Sequence, residues 1–241
     1  MIEDLLGIVA MEKDYSETSK ILTVITKEHG VISVISKGCK SIKSNLRSVS
    51  TILSYGTFSL YYKEDKLSNL VSVDSINSFK NIRTDLSKIS YASYLLELTM
   101  QVLKQNNNSD IFDILVDSLI KIDEGKDPLV ITDIVSLKYL EYLGVMPVID
   151  SCAVCGSTTS IATLSSDLGG YVCNKCRTNE PIVSEKAIKL IRMFYYIDIS
   201  KIEKLEISDV TKKEIHLFLD RYYDRYTGLY FKTKKMLKVS D

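Results

Sequence analysis

The chain has 241 residues, and its 31 Lys and Arg balance its 31 Asp and Glu, so the formal net charge at pH 7 is zero. Apolar residues make up 45% of it, enough for a hydrophobic core in one large domain or two to three small ones. Neutrality excludes indiscriminate nucleic-acid binding through overall charge. No apolar run approaches the roughly 20 residues of a membrane-spanning helix. The start, Met1–Asp4, is acidic and unlike a signal peptide, so we expect a cytoplasmic protein with reduced thiols.

Five short segments rich in Ile, Val, Thr, Tyr and Phe predict β-strands in the first 76 residues. They are Leu5–Glu12, Ser19–Lys27, Val31–Lys37, Thr51–Tyr62 and Leu67–Ser75. The tight connection Glu28–Gly30 predicts a hairpin of the second and third segments. Five strands in so short a stretch favour a closed barrel without exposed edges. The OB-fold is the five-stranded barrel known for binding single-stranded nucleic acid.

The longest connection of this region is Gly38–Ser50, and with the residue before it this loop carries four cationic side chains. They are Lys37, Lys40, Lys43 and Arg47. No acidic residue occurs between Glu28 and Glu64, so we expect a positive lobe without counter-charge. Two interpretations stay open, contacts to phosphate groups or a solvated loop. Aromatic residues of the next strand that face outward can stack on bases; the candidates are Tyr55, Phe58, Tyr61 and Tyr62.

From Phe79 the apolar spacing becomes that of helices. The predicted helices are Ile89–Lys104, Ile111–Ile122 and Leu129–Leu143. Ser109 or Asp110 can cap the second, and the third ends at Gly144. Because the loops between them are short, we predict an antiparallel bundle. Residues 81–150 carry six basic and eleven acidic side chains, a net charge of −5, so this bundle is the acidic part of the chain.

Four of the five cysteines lie within 25 residues. Cys152 and Cys155 form one C-x2-C pair, and Cys173 and Cys176 form a second after 17 residues, which is the spacing of a zinc ribbon. A hairpin with its turn at Asp167–Gly170 would bring the pairs together around one tetrahedral Zn²⁺. Four thiolates leave no open coordination position, so we predict a structural ion without a catalytic role.

Disulfide bonding and redox chemistry fit the cysteine pattern less well than a metal site does. Two disulfides would suit a secreted protein, and a redox C-x-x-C needs only one pair. The fifth cysteine, Cys39, is expected to be a free thiol in a loop.

Two further helices are predicted after the cysteines, one from Ser184 through Tyr196 and one from about Ser208 to Leu237, with Gly228 as a break. A basic tail comes last: Lys232, Lys234, Lys235 and Lys238. The predicted fold class is therefore α+β. It consists of a five-stranded OB-fold barrel (1–78) and an all-helical domain (79–148 and 181–241) that is interrupted by a four-cysteine zinc ribbon (149–180).

Catalytic motifs are absent from the sequence. There is no P-loop, no G-x-G-x-x-G after a strand and no G-x-S-x-G. The two histidines, His29 and His216, have no nucleophile or carboxylate beside them in motif form. We therefore predict that the protein is not an enzyme.

Eight stretches along the chain form one pattern. They are GIV at 7–9, DYSET at 14–18, TKEHG at 26–30, SKG at 36–38, YASYLLEL at 91–98, LGVMP at 143–147, CAVCG at 152–156 and GGYVCNKC at 169–176. Together, and in this order, they resemble the RecO family of bacterial recombination mediators over nearly the whole length.

The resemblance implies an OB-fold followed by a helical domain with a zinc module. It implies binding to single- and double-stranded DNA, annealing of complementary strands, and joint action with RecR and with the C-terminal tail of single-stranded-DNA-binding protein to load RecA. The protein would associate with the nucleoid during repair. Lys37 and the loop residues Lys40, Lys43 and Arg47 resemble the family's DNA-contacting region. The alternative is a zinc-ribbon adaptor that binds only protein and uses the barrel as a scaffold.

Overall fold

The structure is a computed structural model that describes residues 2–237, so Lys238 of the predicted basic tail lies outside the described residues. The chain begins with a closed barrel of five strands. The strands are β1 Ile2–Asp14, β2 Lys20–Thr26, β3 Gly30–Ser36, β4 Tyr55–Tyr61 and β5 Ser68–Asn77. Their order around the barrel is β1-β2-β3-β5-β4. The seams are antiparallel except for a short parallel one between β3 and β5. The predicted five-stranded barrel is confirmed.

The fourth strand begins at Tyr55, four residues later than predicted. Leu53 has a positive φ of 67°, and its N–H donates to the carbonyl of Val9 at 2.9 Å. The N–H of Val9 donates in turn to the carbonyl of Ser54 at 2.9 Å. This contact lies at an irregularity in the β1–β2 pairing, and it turns the chain before the strand starts.

Strand β1 is buried on both faces. Val9 points into the barrel interior, whose other buried members are Leu5, Leu22, Val24, Val34, Phe58, Leu60 and Leu70. Ile8 points outward and belongs to the core that the helices form. Tyr55 packs on the rings of Phe79 and Phe112 at this junction. The barrel and the helices therefore share one continuous apolar contact.

The helices are α1 Lys80–Arg83, α2 Leu86–Leu103, α3 Ser109–Asp123, α4 Pro128–Tyr142, α5 Glu185–Tyr196 and α6 Asp209–Tyr226. Helices α2, α3 and α4 each begin slightly before their predicted start, because a carboxylate or amide side chain caps them there. Asp85 and Asp127 accept N–H groups of α2 and α4. Asn108 caps α3, so the prediction of Ser109 or Asp110 as its cap was wrong.

The predicted final helix to Leu237 is too long. Helix α6 ends at Tyr226, and Gly228 takes a φ of 63° that reverses the chain, as the predicted break requires. A short 3₁₀ turn, Thr233–Met236, follows. Within residues 2–237, no helix has the length and apolar character needed to cross a membrane.

Helix α4 lies at the centre of the helical domain and is buried on nearly every side. It packs against α2, α3, α5 and α6. Its position is fixed by tyrosine hydroxyls, since Tyr139 donates to the carbonyl of Ile111 and Tyr223 of α6 donates to the carbonyl of Ser136, each at 2.8 Å.

A buried ion pair joins α4 to α6. Asp133 is 3% exposed, and its Oδ1 lies 2.9 Å from Nδ1 of His216. Asp220, also of α6, and Lys234 of the 3₁₀ turn face the imidazole of His216 as well. Burial acts to lower the pKa of His216, but the Asp133 carboxylate outweighs it and raises the pKa above its ordinary value of 6.5. Burial also raises the pKa of Asp133.

We expect this pair to make stability depend on pH. A histidine with a raised pKa contributes stability that is complete below pH 6.5 and is lost as pH rises through the folded-state value. Thermal unfolding between about pH 6 and about pH 8.5 should therefore show stability falling, by at most about 1.4 kcal/mol per pH unit for one proton. In Asp133→Asn the main group that raises the pKa of His216 is lost, and burial and Lys234 are opposed only by Asp220, so the slope should flatten or reverse.

The second histidine provides the control. His29 pairs with Glu3 at 2.7 Å, but both side chains are about a third or more exposed, and exposed pairs contribute little. His29→Gln should keep the wild-type slope. An Asp133→Asn protein with an unchanged slope would contradict the assignment.

Candidate metal centre and basic loop

The four cysteines of the two C-x2-C pairs meet at one point. The Sγ atoms of Cys152, Cys155, Cys173 and Cys176 all lie within 4.8 Å of one another. The Sγ atoms of Cys155 and Cys173 are 3.7 Å apart. A tetrahedron of thiolates with metal–sulfur bonds of about 2.3 Å has sulfur–sulfur distances of about 3.8 Å. The residues therefore fit a single tetrahedral metal ion.

The predicted hairpin brings the two pairs together. It consists of β6 Ile161–Ser165 and β7 Gly170–Cys173, which pair antiparallel. In each pair a backbone turn aims the sulfurs, with the N–H of Gly156 donating to the carbonyl of Cys152 and that of Cys176 to the carbonyl of Cys173. Cys152 and Cys173 are buried, whereas Cys155 is exposed.

The backbone around Cys152 and Cys173 favours their thiolate forms. Burial acts to raise the pKa of Cys152, but backbone N–H groups, first that of Cys173, outweigh it and lower the pKa to about 6. The same competition lowers the pKa of Cys173. Hydrogen bonding with Cys155, then burial and the other thiols, raises the pKa of Cys176 to about 12. A divalent cation at the centre would stabilise all four thiolates, so Cys176 would be deprotonated as well.

The hairpin is held against the helices by its turn and its second strand. Gly170 pairs with Val148, and a Cβ on Gly170 would lie 2.2 Å from the Val148 carbonyl oxygen. Arg225 of α6 binds Asp167 in the turn at 2.8 Å. The hydroxyl of Tyr171 donates to a carbonyl of α5. The metal centre is therefore fixed relative to α5 and α6.

The loop between β3 and β4 is compact. Successive turns run along it, with the N–H of Ser41 bound to the carbonyl of Gly38 and that of Ser44 bound to the carbonyl of Ser41. The hydroxyls of Ser36 and Ser50 meet at 2.8 Å where the loop leaves and rejoins the barrel. Cys39 is a free thiol as predicted, and it is buried. Charges on this loop therefore sit on an ordered support.

The four cationic side chains of the loop differ from one another. Lys37, Lys43 and Arg47 are exposed, and the described residues offer none of them an ion-pair partner. Lys40 is different, because its Nζ lies 2.9 Å from Oδ2 of Asp14 at the end of β1. The expectation of four cations without a counter-charge was therefore wrong for Lys40, since the strand pairing brings in an acid from outside the loop.

The structure separates the candidate aromatic residues. Phe58 is in the barrel core and Tyr55 faces the helices. Tyr61 is half exposed on the outer surface. Tyr62 stacks on His29 with ring centroids 4.2 Å apart. Sequence reasoning missed this stack, because the two residues are far apart in the chain and no local pattern links them.

Comparison with known families matches both parts of the chain. The family model described as Recombination protein O N terminal matches residues 1–79. The family model described as Recombination protein O C terminal matches residues 83–235. The change between them falls where the barrel ends and the helices begin.

Relatives of similar length match nearly the whole chain, and each is named DNA repair protein RecO. The protein of Bacillus pumilus is 37% identical over 235 residues, which is 96% of this chain and 91% of the relative. That of Bacillus subtilis is 36% identical over 235 residues, or 96% and 92%. That of Bacillus cytotoxicus is 36% identical over 245 residues, or 100% and 98%.

The four-cysteine geometry predicts one bound metal ion per chain. Cys173→Ser should lose it, because a serine hydroxyl remains protonated and is a poor ligand for a thiolate-binding metal. Metal analysis of the purified proteins measures the stoichiometry, and thermal unfolding with and without chelator measures the coupling to folding.

Cys39→Ser is the matched control, since it removes the cysteine that lies outside the cluster. It should keep one metal ion per chain. Full metal content in Cys173→Ser would contradict the assignment.

Proposed function

The chain belongs to the RecO family of DNA repair proteins, and we propose that it is a non-enzymatic recombination mediator that binds DNA directly. In this proposal it binds single- and double-stranded DNA and anneals complementary strands. With RecR, and through the C-terminal tail of single-stranded-DNA-binding protein, it helps to load RecA onto coated DNA. It acts in the cytoplasm, at the nucleoid during repair. The family and the relatives' names support a role in DNA repair.

The observation that carries direct DNA binding is the arrangement of three cations on the compact loop. Lys37, Lys43 and Arg47 are exposed on a support that is already ordered, so the backbone loses little conformational entropy when a phosphate binds, and the cost is that of ordering the side chains. Arg47 can form two parallel hydrogen bonds to one phosphate. Lys40 contributes less, because Asp14 already offsets its charge.

The rest of the charge distribution favours weak binding by the protein alone. The net charge is zero, and the helical bundle of residues 81–150 is acidic. Three phosphate contacts correspond to a slope of about −2 in a plot of log affinity against log salt for single strands. RecR would then supply further positive surface. Partial neutralisation of each strand lowers the repulsion between complements, which is how annealing would proceed without a covalent step.

We also propose that the four-cysteine centre holds one structural Zn²⁺. Four sulfurs at tetrahedral spacing suit zinc, and zinc has no redox chemistry of its own. The ion would cross-link the two ends of a hairpin that has only a small apolar cluster around its cysteines. Four thiolates complete its coordination, so it would supply folding energy and no reaction.

The test is annealing of two complementary labelled oligonucleotides at low salt, together with single-strand affinity at several salt concentrations. We expect wild-type protein to accelerate annealing. The variant Lys37/Lys43/Arg47→Glu should lose this acceleration, and its salt slope should fall from about −2 towards zero.

A charge-matched control is Lys104/Lys186/Lys213→Glu, which changes the net charge equally at exposed positions of the helical domain that, like the loop cations, have no ion-pair partner among the described residues. It should anneal like wild type. Equal losses in both variants would show that overall charge matters and the loop does not. If wild-type protein binds no DNA even at low salt, the zinc-ribbon adaptor that binds only protein becomes the better description.

A further inference from the structure

A groove of about 510 Å³ lies on the barrel apart from the loop between β3 and β4. One wall is the first half of β3, with Val31, Ile32 and Ser33. The other wall is the connection from β4 to β5, which contains Lys63 and Lys66. The groove is large enough for a nucleobase and is open to solvent.

The groove exists because the barrel seam is only partly closed. Strand β3 pairs with β5 only at Val34 and Ile35. Its first residues, Gly30–Ser33, pair with β2 on one side, and no strand among the described residues pairs with them on the other. Unpaired strand edges carry free N–H and C=O groups. Of these residues Val31–Ser33 line the groove, whereas the carbonyl of Gly30 accepts the hydroxyl of Thr26 at 3.0 Å. Alternate residues of an antiparallel strand direct N–H and C=O groups to its open edge, and such groups can take up the hydrogen-bonding edge of a base.

An aromatic pair lies at one end of the groove. Tyr62 and His29 both line it, and their rings are stacked with an angle of 15° between the planes. His29 is held in place by Glu3 at 2.7 Å, and Tyr62 is packed in part against the barrel core. The pair is therefore a flat surface whose orientation is set before any ligand binds.

The charges on the connection beside the groove cancel, and Glu3 adds a carboxylate next to the aromatic pair. The connection reads Lys63, Glu64, Asp65, Lys66, and all four residues are exposed. A groove without net positive charge contributes little to phosphate binding, so its affinity should come from stacking and from hydrogen bonds. Stacking of a base on an aromatic side chain tolerates any base, because each base has a π-face.

We propose that this groove takes an unpaired base of a DNA strand whose phosphates lie on the basic loop. The base stacks on the Tyr62–His29 pair, and its edge hydrogen-bonds to the free backbone groups of Val31–Ser33. The inference rests on the proposed DNA binding. Ser33 and Lys37 are separated by about 13 Å of extended chain, so a few nucleotides span both sites.

A base fits these features better than a peptide strand does. The free edge of β3 is confined to Gly30–Ser33, shorter than the roughly five or six residues of an ordinary strand. A peptide added to this edge would also leave the aromatic pair without a role. A duplex keeps its bases paired, so the groove would make the protein prefer single strands.

The chain has no tryptophan, which makes a direct test simple. Tyr62→Trp places a single indole in the groove. Titration with a thymidine oligonucleotide should quench its fluorescence, and the quenching should saturate together with binding. Tyr61→Trp is the matched control, because Tyr61 lies one residue away on the outer surface opposite Ile2. Its fluorescence should stay nearly constant.

Affinity measurements give the second readout. Tyr62→Ala should bind single strands about 5- to 150-fold more weakly, while duplex affinity and the salt slope stay at wild-type values. Tyr62→Phe keeps the ring and should bind like wild type. The loop variant behaves differently, since it changes the salt slope.

The outcomes separate this inference from the proposed function. If wild-type protein binds single strands but the Tyr62→Trp indole is not quenched, the groove assignment is wrong and the proposed function stands. Equal losses for single strands and duplex in Tyr62→Ala would overturn it as well. If wild-type protein binds no DNA at low salt, the proposed function itself fails, and the groove assignment fails with it.

Discussion

Burial of helix α4 is the constraint on which the helical domain depends. Four other helices pack around it, so the polar groups that it does satisfy find their partners inside the protein, whereas the buried hydroxyl of Thr132 has no partner among the described residues. Asp133 meets His216, and the carbonyl of Ser136 accepts the hydroxyl of Tyr223. Both partners belong to α6, so these contacts fix where α6 lies. An apolar core alone would allow α6 to slide, whereas an unpaired buried carboxylate would be costly.

Helix α6 also contacts the metal module at the protein surface. Arg225 binds Asp167, and the hydroxyl of Tyr226 donates to the backbone of the same turn. On the other side, Gly170 fits against Val148 only because it has no side chain. The cysteine hairpin is thus a small unit whose internal geometry comes from sulfur ligands and whose placement comes from the helices.

Local patterns predicted much of the fold, and contacts between distant residues account for what they missed. The cysteine spacing predicted the sulfur cluster because both turns and the hairpin are local. The strands and helices followed from apolar periodicity. The start of β4 was missed because the Leu53–Val9 hydrogen bond joins residues far apart. The Lys40–Asp14 pair was missed for the same reason, and so was the stack of Tyr62 on His29. Alternation along β4 was visible in the sequence, but which face meets the helices depends on how the whole barrel docks.

Double-sided burial of β1 has a consequence for synthesis on the ribosome. All five barrel strands are made by the time Asn77 is added, so the barrel can close early. Ile8 and Ile25 on the outside of the barrel pack against the helical core, and Phe112 of that core is translated after the last strand. The nascent barrel therefore exposes an apolar surface while α2 and α3 are still being made. Exposed apolar surfaces promote aggregation. The chain is therefore most prone to aggregate after the barrel has been translated and before α2 and α3 cover it.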